Sequence, residues 1–404
     1  MLFWRNYIKK ITSLLAIALS VIFLSCGSDS SSGSALNWSP SSVPLNEYNG
    51  MKISEKITAG WNLGNTLDAT DGKGVDSETS WGCPKTTKEN IKALAASGIN
   101  LIRIPVSWSN HMNDTTGVID PAWIKRVQEV VGWAIECNMF VILNVHHDVF
   151  ESKYGTFTNY NYKYYNPTSA DRAHSEKFVK NVWEQICRNF NENYDAHLIF
   201  EALNEPRLVG DEHEWNYQST CNKCNEIVGE IQHLNQLALN TIRASGKNNA
   251  LRLVIFPFMS ASTAVAFDAN FSLPTDSANN VGLSVHAYSP YSFAMESPGE
   301  STFTDKHKNE LDNLFTSLKK KYGSYPIIIG EYGATNKNNP QDRAAWFEYY
   351  VKKAKENGIK TCLWDNNQYN VTGNDYNEKY GFFNRSNNTW YEPELLNAIM
   401  RGTK

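Results

Sequence analysis

Eight short runs rich in β-forming residues recur along the chain, each followed by a longer stretch of helical period, and few folds accept that rhythm. The runs are Thr58–Asn65, Asn100–Ser107, Met139–His147, His197–Glu205, Leu251–Phe258, Val281–Tyr288, Pro326–Tyr332 and Ile359–Asp365. Several, including Phe140-Val141-Ile142-Leu143 and Ile327-Ile328-Ile329, are apolar without alternation, as strands covered on both faces must be. Helical period fills Thr87–Ser97, Pro121–Glu136, Ala170–Asn193, Cys224–Ser245, Asp305–Lys321, Pro340–Asn357 and Pro393–Met400. Pro121 and Pro340 suit a first helical turn, Asp120 suits an N-cap, and Gly98 and Gly358 suit helix ends. Eight strands separated by helices over roughly 350 residues predict an α/β chain closed as a (β/α)8 TIM barrel. The rival is an open doubly wound sheet. Its glycine-rich phosphate loop is missing, because Gly60-Trp61-Asn62-Leu63-Gly64-Asn65 has the wrong spacing and too much bulk.

The first 42 residues read differently. Arg5, Lys9 and Lys10 precede an apolar run from Ile11 to Leu24, roughly 14 residues and short for a membrane span. Cys26 follows in Phe23-Leu24-Ser25-Cys26-Gly27, an arrangement that resembles a bacterial lipoprotein signal with Cys26 as the lipidated residue. The expectation is a signal peptide over 1–25, a flexible Ser/Gly-rich tether over 26–42 and one catalytic barrel over 43–404. The protein is then exported and lipid-anchored at the bacterial cell envelope or surface, or else secreted by an ordinary signal. Loss of the signal takes the formal charge from −4 to −7. No segment concentrates the positive charge that nucleic acid requires, and no feature calls for anything beyond a monomer. The 12 Trp, 20 Tyr and 18 Phe exceed what a core needs and suit surfaces that stack on sugar rings.

Of seven cysteines, six remain once Cys26 is set aside. Cys221-x-x-Cys224 has a spacing shared by metal sites and redox pairs. No second pair or nearby histidine cluster completes a zinc set, so a local disulfide or free thiols is the expectation.

In a barrel of this type, chemistry collects at the C-terminal strand ends. Those ends carry Asn65, Arg103, His146-His147-Asp148, Asn204-Glu205, His286-Ala287-Tyr288, Glu331 and Trp364. Each has a harmless reading, such as a structural ion pair or a helix cap; their joint placement does not. Glu205 and Glu331 form a natural pair for cleaving a glycosidic bond, one protonated to assist the leaving oxygen and one ionised to attack. Arg103 and Tyr288 can hold Glu331 ionised, Asn204 can grip a sugar 2-hydroxyl, and His146 and His286 complete a polar floor. Trp364 offers a stacking face, with Trp61, Asn65, Trp81, Trp108 and His147 as further subsite positions. His146, His147 and Asp148 cannot all reach one ion, since neighbours along a strand face opposite ways, and a metal hydrolase built on His146, Glu205 and His286 is the weaker reading.

The runs Gly60-Trp61-Asn62-Leu63-Gly64-Asn65-Thr66-Leu67-Asp68, Thr79-Ser80-Trp81-Gly82, Ile102-Arg103-Ile104-Pro105-Val106-Ser107-Trp108, Asn144-Val145-His146-His147-Asp148, Phe200-Glu201-Ala202-Leu203-Asn204-Glu205-Pro206, His286-Ala287-Tyr288 and Gly330-Glu331-Tyr332-Gly333 together resemble glycoside hydrolase family 5, and within it the bacterial endoglucanases. The resemblance spans about residues 50 to 400 and implies retaining chemistry. It makes Glu205 the acid/base and Glu331 the nucleophile, supported by Arg103, His146, Asn204, His286, Tyr288 and Trp364, with no cofactor or metal. Retention implies carboxyl groups about 5–5.5 Å apart. The implied partner is a β-linked polysaccharide, namely cellulose or mixed-linkage glucan, or xyloglucan or mannan on the same chemistry. A catalytically dead surface lipoprotein that only captures glycans is the alternative from another class, and the intact glutamate pair speaks against it. The aromatic-rich segment 151–167 either packs on the barrel rim or walls the cleft.

Overall fold

The computed structural model describes residues 42–268, 271–369 and 379–404. The expected signal peptide, Cys26 and the tether up to residue 41 lie outside them. Eight parallel strands close into a barrel in chain order. They are β1 (Gly60–Asn62), β2 (Leu101–Ile104), β3 (Phe140–Asn144), β4 (Leu198–Glu201), β5 (Val254–Ser262), β6 (Val281–His286), β7 (Ile327–Tyr332) and β8 (Ile359–Leu363). Gly60 pairs with Cys362 to close the ring. A Cβ on Gly60 would stand 2.7 Å from Cys362 Sγ, so a larger residue would force these two strands apart.

The expected helices form, as α2 (Lys88–Ala96), α3 (Pro121–Glu136), α4 (Arg172–Asn189), α5 (Asn222–Ala244), α8 (Asp305–Tyr322), α9 (Pro340–Glu356) and α10 (Pro393–Gly402). Asp120 caps α3 by accepting from the Ala122 N–H at 2.9 Å, and Pro121 and Pro340 occupy first turns. Gly98 and Gly358 take φ of +97° and +74° just past their helices, a conformation glycine reaches at no steric cost. Short α6 (Thr263–Phe267) and α7 (Tyr291–Ala294) follow β5 and β6, and Phe383–Asn384 pairs with Thr389–Trp390 as a small ribbon.

One further helix has no counterpart in the sequence reading. α1 (Gly50–Lys56) is capped by Asn49, which accepts from the Lys52 N–H. Its Ile53, with Ile57 just beyond, joins Leu101, Phe140, Ile142, Ile199, Ile255, Ile328 and Cys362 in a cluster separate from the main core. Those strand residues point into the barrel, so α1 plugs its N-terminal end. The larger cluster packs the barrel's outer face against the helices. At the plugged end Val43 exchanges hydrogen bonds with Asp195 and Ala196, just before β4, and Lys355 Nζ donates to the Lys404 carbonyl. The two described ends of the chain therefore share one face of the barrel.

Above the plug the inward positions turn polar: Asn62, Arg103, Asn144, Glu201 and Ser284 are all fully buried. Several strands are also shorter than their apolar runs suggested. β3 ends at Asn144 rather than His147, and β4 at Glu201 rather than Glu205. Beyond those points the side chains turn inward to polar partners and the backbone leaves the ladder. Glu205 is thus on a loop, four residues past its strand.

Candidate active site

Arg103 organises the polar layer. It rises from β2 through the barrel axis, and its three nitrogens all donate. Nε reaches Glu201 Oε2 at 2.8 Å, Nη1 reaches Asn62 Oδ1 at 3.0 Å and Glu331 Oε1 at 2.8 Å, and Nη2 reaches Asn204 Oδ1 at 2.6 Å. Burial alone would disfavour the guanidinium charge, but Glu201 and Glu331 outweigh it and raise its pKa. Glu201 is held in turn by Asn144 Nδ2 at 2.8 Å and Ser284 Oγ at 2.5 Å. A buried ion pair survives when its carboxylate oxygens find further donors, and here both oxygens of Glu201 do. Glu201 stands inside the Phe200–Pro206 run without a role of its own in the sequence; its inward register on β4, opposite Asn144 of β3, is the signal that marks it.

Glu331, on β7, receives a second donor, Tyr288 Oη at 2.9 Å. Glu205 receives one, His286 Nδ1 at 2.7 Å. His286 Nε2 lies 3.5 Å from Arg103 Nη2, and Gly330 makes room for the ring: a Cβ there would sit 3.2 Å from that nitrogen. One oxygen of each glutamate and a ring nitrogen of His286 lie within 4.8 Å of one another. The three groups titrate as a unit. Burial pushes Glu331 up against the opposing charges of His286 and Arg103. Burial also works against Glu205, but the bond from His286 wins and lowers it. His286 is raised because Glu331 and Glu205 outweigh its burial. Its neighbour His146 is driven well down by burial, and therefore neutral, with Nδ1 3.0 Å from Asn144 Nδ2.

These groups open on a cleft of about 1070 Å³. Asn65, Trp81, His146, His147, Asn204, Glu205, His286, Tyr288, Glu331 and Trp364 all line it, which covers most of the expected positions. Trp364 stacks parallel to His146, and Trp81 tilts over His147. Burial pushes His147 down to about 4. Two expected subsite residues are elsewhere. Trp61 is fully buried with Nε1 on Asp365 Oδ2 at 2.9 Å, and Trp108 is fully buried with Nε1 on the Asn144 carbonyl at 2.9 Å. Both bury a large ring and satisfy its single N–H, which makes them core residues, not sugar platforms. Trp215 was not foreseen. It lies on the loop after β4, lines the cleft at 60% exposure and rests on the Arg207 guanidinium. None of Tyr154, Phe157, Tyr160, Tyr162, Tyr164 and Tyr165 lines the cleft. They pack largely among themselves, Tyr154 stacking on Tyr164 with centroids 4.7 Å apart, so the segment 151–167 builds the rim. The six described cysteines, Cys221 and Cys224 among them, are unpaired thiols.

A closed (β/α)8 barrel with paired carboxylates at its C-terminal face, donors fixed on one of them, and tryptophans along an open groove defines a glycoside hydrolase. Residues 67–370 match Cellulase (glycosyl hydrolase family 5), and the chain belongs to that family. It is 37% identical over 368 residues to endoglucanase A of Ruminococcus albus, covering 89% of this chain and 94% of that one. It is 38% identical over 364 residues to the cellulase/esterase CelE of Acetivibrio thermocellus, of which it spans 41%. Among solved structures, a broad-specificity endoglucanase from Ruminococcus champanellensis with bound cellotriose is 39% identical with a TM-score of 0.79, covering 87% of this chain and 98% of that one. A glycoside hydrolase 5 lichenase from a Caldicellulosiruptor species, in complex with cellotetraose, is 36% identical with a TM-score of 0.81, covering 90% of this chain and 97% of that one.

Proposed function

We propose that the protein is an endo-acting β-1,4-glucanase, cutting cellulose and mixed-linkage β-glucan with retention of anomeric configuration. The observation that carries this is the approach of one oxygen of Glu205 to within 4.8 Å of one of Glu331, in an open cleft and with unequal partners. An inverting pair would stand about 6.5–9.5 Å apart to admit a water. Arg103 cannot lose its charge, so Glu331 always keeps a counterion. His286 can lose its charge, by passing its Nδ1 proton across 2.7 Å to Glu205. That transfer reverses the ordering of the free site and leaves Glu205 neutral as the acid beside an ionised Glu331.

The steps then balance. Glu331 attacks the anomeric carbon as the carbon–oxygen bond to the leaving sugar breaks, and Glu205 gives that oxygen its proton. Glu205, now ionised, takes a proton from water, which attacks the same carbon and releases Glu331. Asn204, its Oδ1 held by Arg103, turns its amide to the 2-hydroxyl; Trp364 supports the ring. The names of the relatives, endoglucanases and a lichenase among them, support glucan as the polymer. The test is product analysis on barley β-glucan, carboxymethyl-cellulose, xyloglucan and mannan, with the anomer followed by NMR. Retained β-product from the glucans, lost in E205A and E331A, is expected; inverted product, or unchanged hydrolysis in either variant, overturns the reading. The N-terminal segment supports export with a lipid on Cys26, for which C26A should release the protein from membranes.

A further inference from the structure

Among the described residues, one cluster of ligating side chains away from the cleft is left without a role. Cys221 caps α5 and Cys224 lies in its first turn, so the two-residue spacing turns both sulfurs to one side of that turn. The Cys224 N–H donates to Cys221 Sγ at 3.2 Å, a bond that stabilises a thiolate. No histidine cluster adjoins this pair in sequence, and a single histidine eight residues before Cys221 needs the fold to bring it in. The loop between β4 and α5 supplies one by folding back: His213 brings a ring nitrogen to within 4.8 Å of both sulfurs. The fold-back is fixed by contacts of its own. Asp211 pairs with Lys223 and accepts the His213 N–H at 2.9 Å, while Tyr217 Oη bonds Asn225 Oδ1 at 3.1 Å.

We infer that His213, Cys221 and Cys224 form a binding site for a thiophilic divalent metal ion of the zinc class. Two sulfurs and an imidazole select zinc over magnesium or calcium, which take oxygen ligands. Metal bonds of about 2.3 Å to sulfur and 2.0 Å to nitrogen place donors roughly 3.5–3.8 Å apart around a tetrahedral ion. The present spacing is therefore within about an ångström of closure. A water or small anion takes the fourth position. The ion's place is structural: Trp215, two residues after His213, lines the cleft, and Glu214 between them binds Arg207 at 2.7 Å. Tying His213 to α5 holds that whole loop, and with it Trp215, at the cleft wall.

The test is a cobalt titration of the full chain, kept reduced, read by the near-ultraviolet thiolate-to-cobalt absorption. A single equivalent should develop the band and a single equivalent of Zn2+ should abolish it. Cys221→Ser with Cys224→Ser should show no band, His213→Ala should weaken binding at least tenfold, and Cys137→Ser, on a cysteine far along the fold, should match the parent. His213 is on a loop, so its variant keeps the test decisive should the double cysteine variant fail to fold. The readout needs no activity, so it stands or falls apart from the glucanase reading. Absence of the band in the parent, its survival in the double variant, unchanged affinity in His213→Ala, or a Cys221–Cys224 disulfide that persists under reductant would each overturn the site.

Discussion

Glu201 offers the sharpest perturbation, because it carries charge in the barrel axis without facing the cleft. Glutamine at 201 keeps the shape and removes the charge. Its carbonyl can take the place of Oε2 and still accept from Arg103 Nε and Asn144 Nδ2; its amide then meets Ser284, whose hydroxyl rotates to accept. Hydrogen bonds are thereby conserved and the loss is that of a buried ion pair, about 3 kcal/mol at the lower end for such deletions. Alanine at 201 strands three donors as well, at about 1–3 kcal/mol each, and should scarcely fold. In urea unfolding the E201Q midpoint should fall by roughly 1 M. Activity gives a second, independent reading. With Glu201 neutral, Arg103 spends its whole charge on Glu331, so the acid limb of the rate profile should move to lower pH. The Tyr288 bond is untouched, so that shift isolates the guanidinium. A variant within about 0.5 kcal/mol of the parent, with its acid limb unmoved, would refute the view that Glu201 shares the charge of Arg103.

Three shorter expectations follow from other contacts. Tyr288→Phe removes a hydrogen bond that lowers the Glu331 pKa, so the acid limb should move up in pH and kcat should fall by about tenfold. Trp61→Phe removes one of three donors to Asp365 Oδ2, leaving the Phe382 and Phe383 N–H groups, and should cost about 1.5 kcal/mol in thermal or urea unfolding; an altered KM with unchanged stability would instead restore Trp61 as a sugar contact. Burial pushes Asp148 up to about 6 while the unfolded chain keeps an ordinary aspartate, so the folded state binds its proton more tightly. Stability from this group is therefore present below about pH 4 and lost as pH rises toward 6, a fall of about 3 kcal/mol. Asparagine at 148 can still accept the Trp108 and Ser109 N–H groups, and should flatten that slope in urea unfolding measured across the same window.

The barrel was legible because its strands are buried on both faces, which leaves short apolar runs, set between helical stretches, that recur along the chain from residue 58 onward. The cleft residues were legible for the complementary reason: polar side chains adjoining such runs have few ordinary uses. What escaped was whatever depends on direction or on contacts distant in sequence. Trp61 and Trp108 have the composition of sugar platforms, and only their inward orientation, with each indole N–H satisfied inside the core, removes them from the cleft. Glu201 differs from Glu205 by four residues, but one stays in the ladder facing Arg103 and the other has left it. α1 is too short and too polar to announce a helix, and forms because Ile53 and the adjoining Ile57 cover the apolar floor of the barrel. His213 reaches Cys221 through a fold-back that no spacing rule encodes.

The plugged end of the barrel has a practical side. Ser42 and Lys404 both emerge there, beneath the strands, while Glu205, Glu331 and the tryptophans open at the opposite pole. A support or reporter joined at Lys404, or at Ser42 of a chain begun there, would leave the groove facing outward. The same geometry makes these two described ends, rather than any loop of the upper rim, the place to build chimeras of this enzyme.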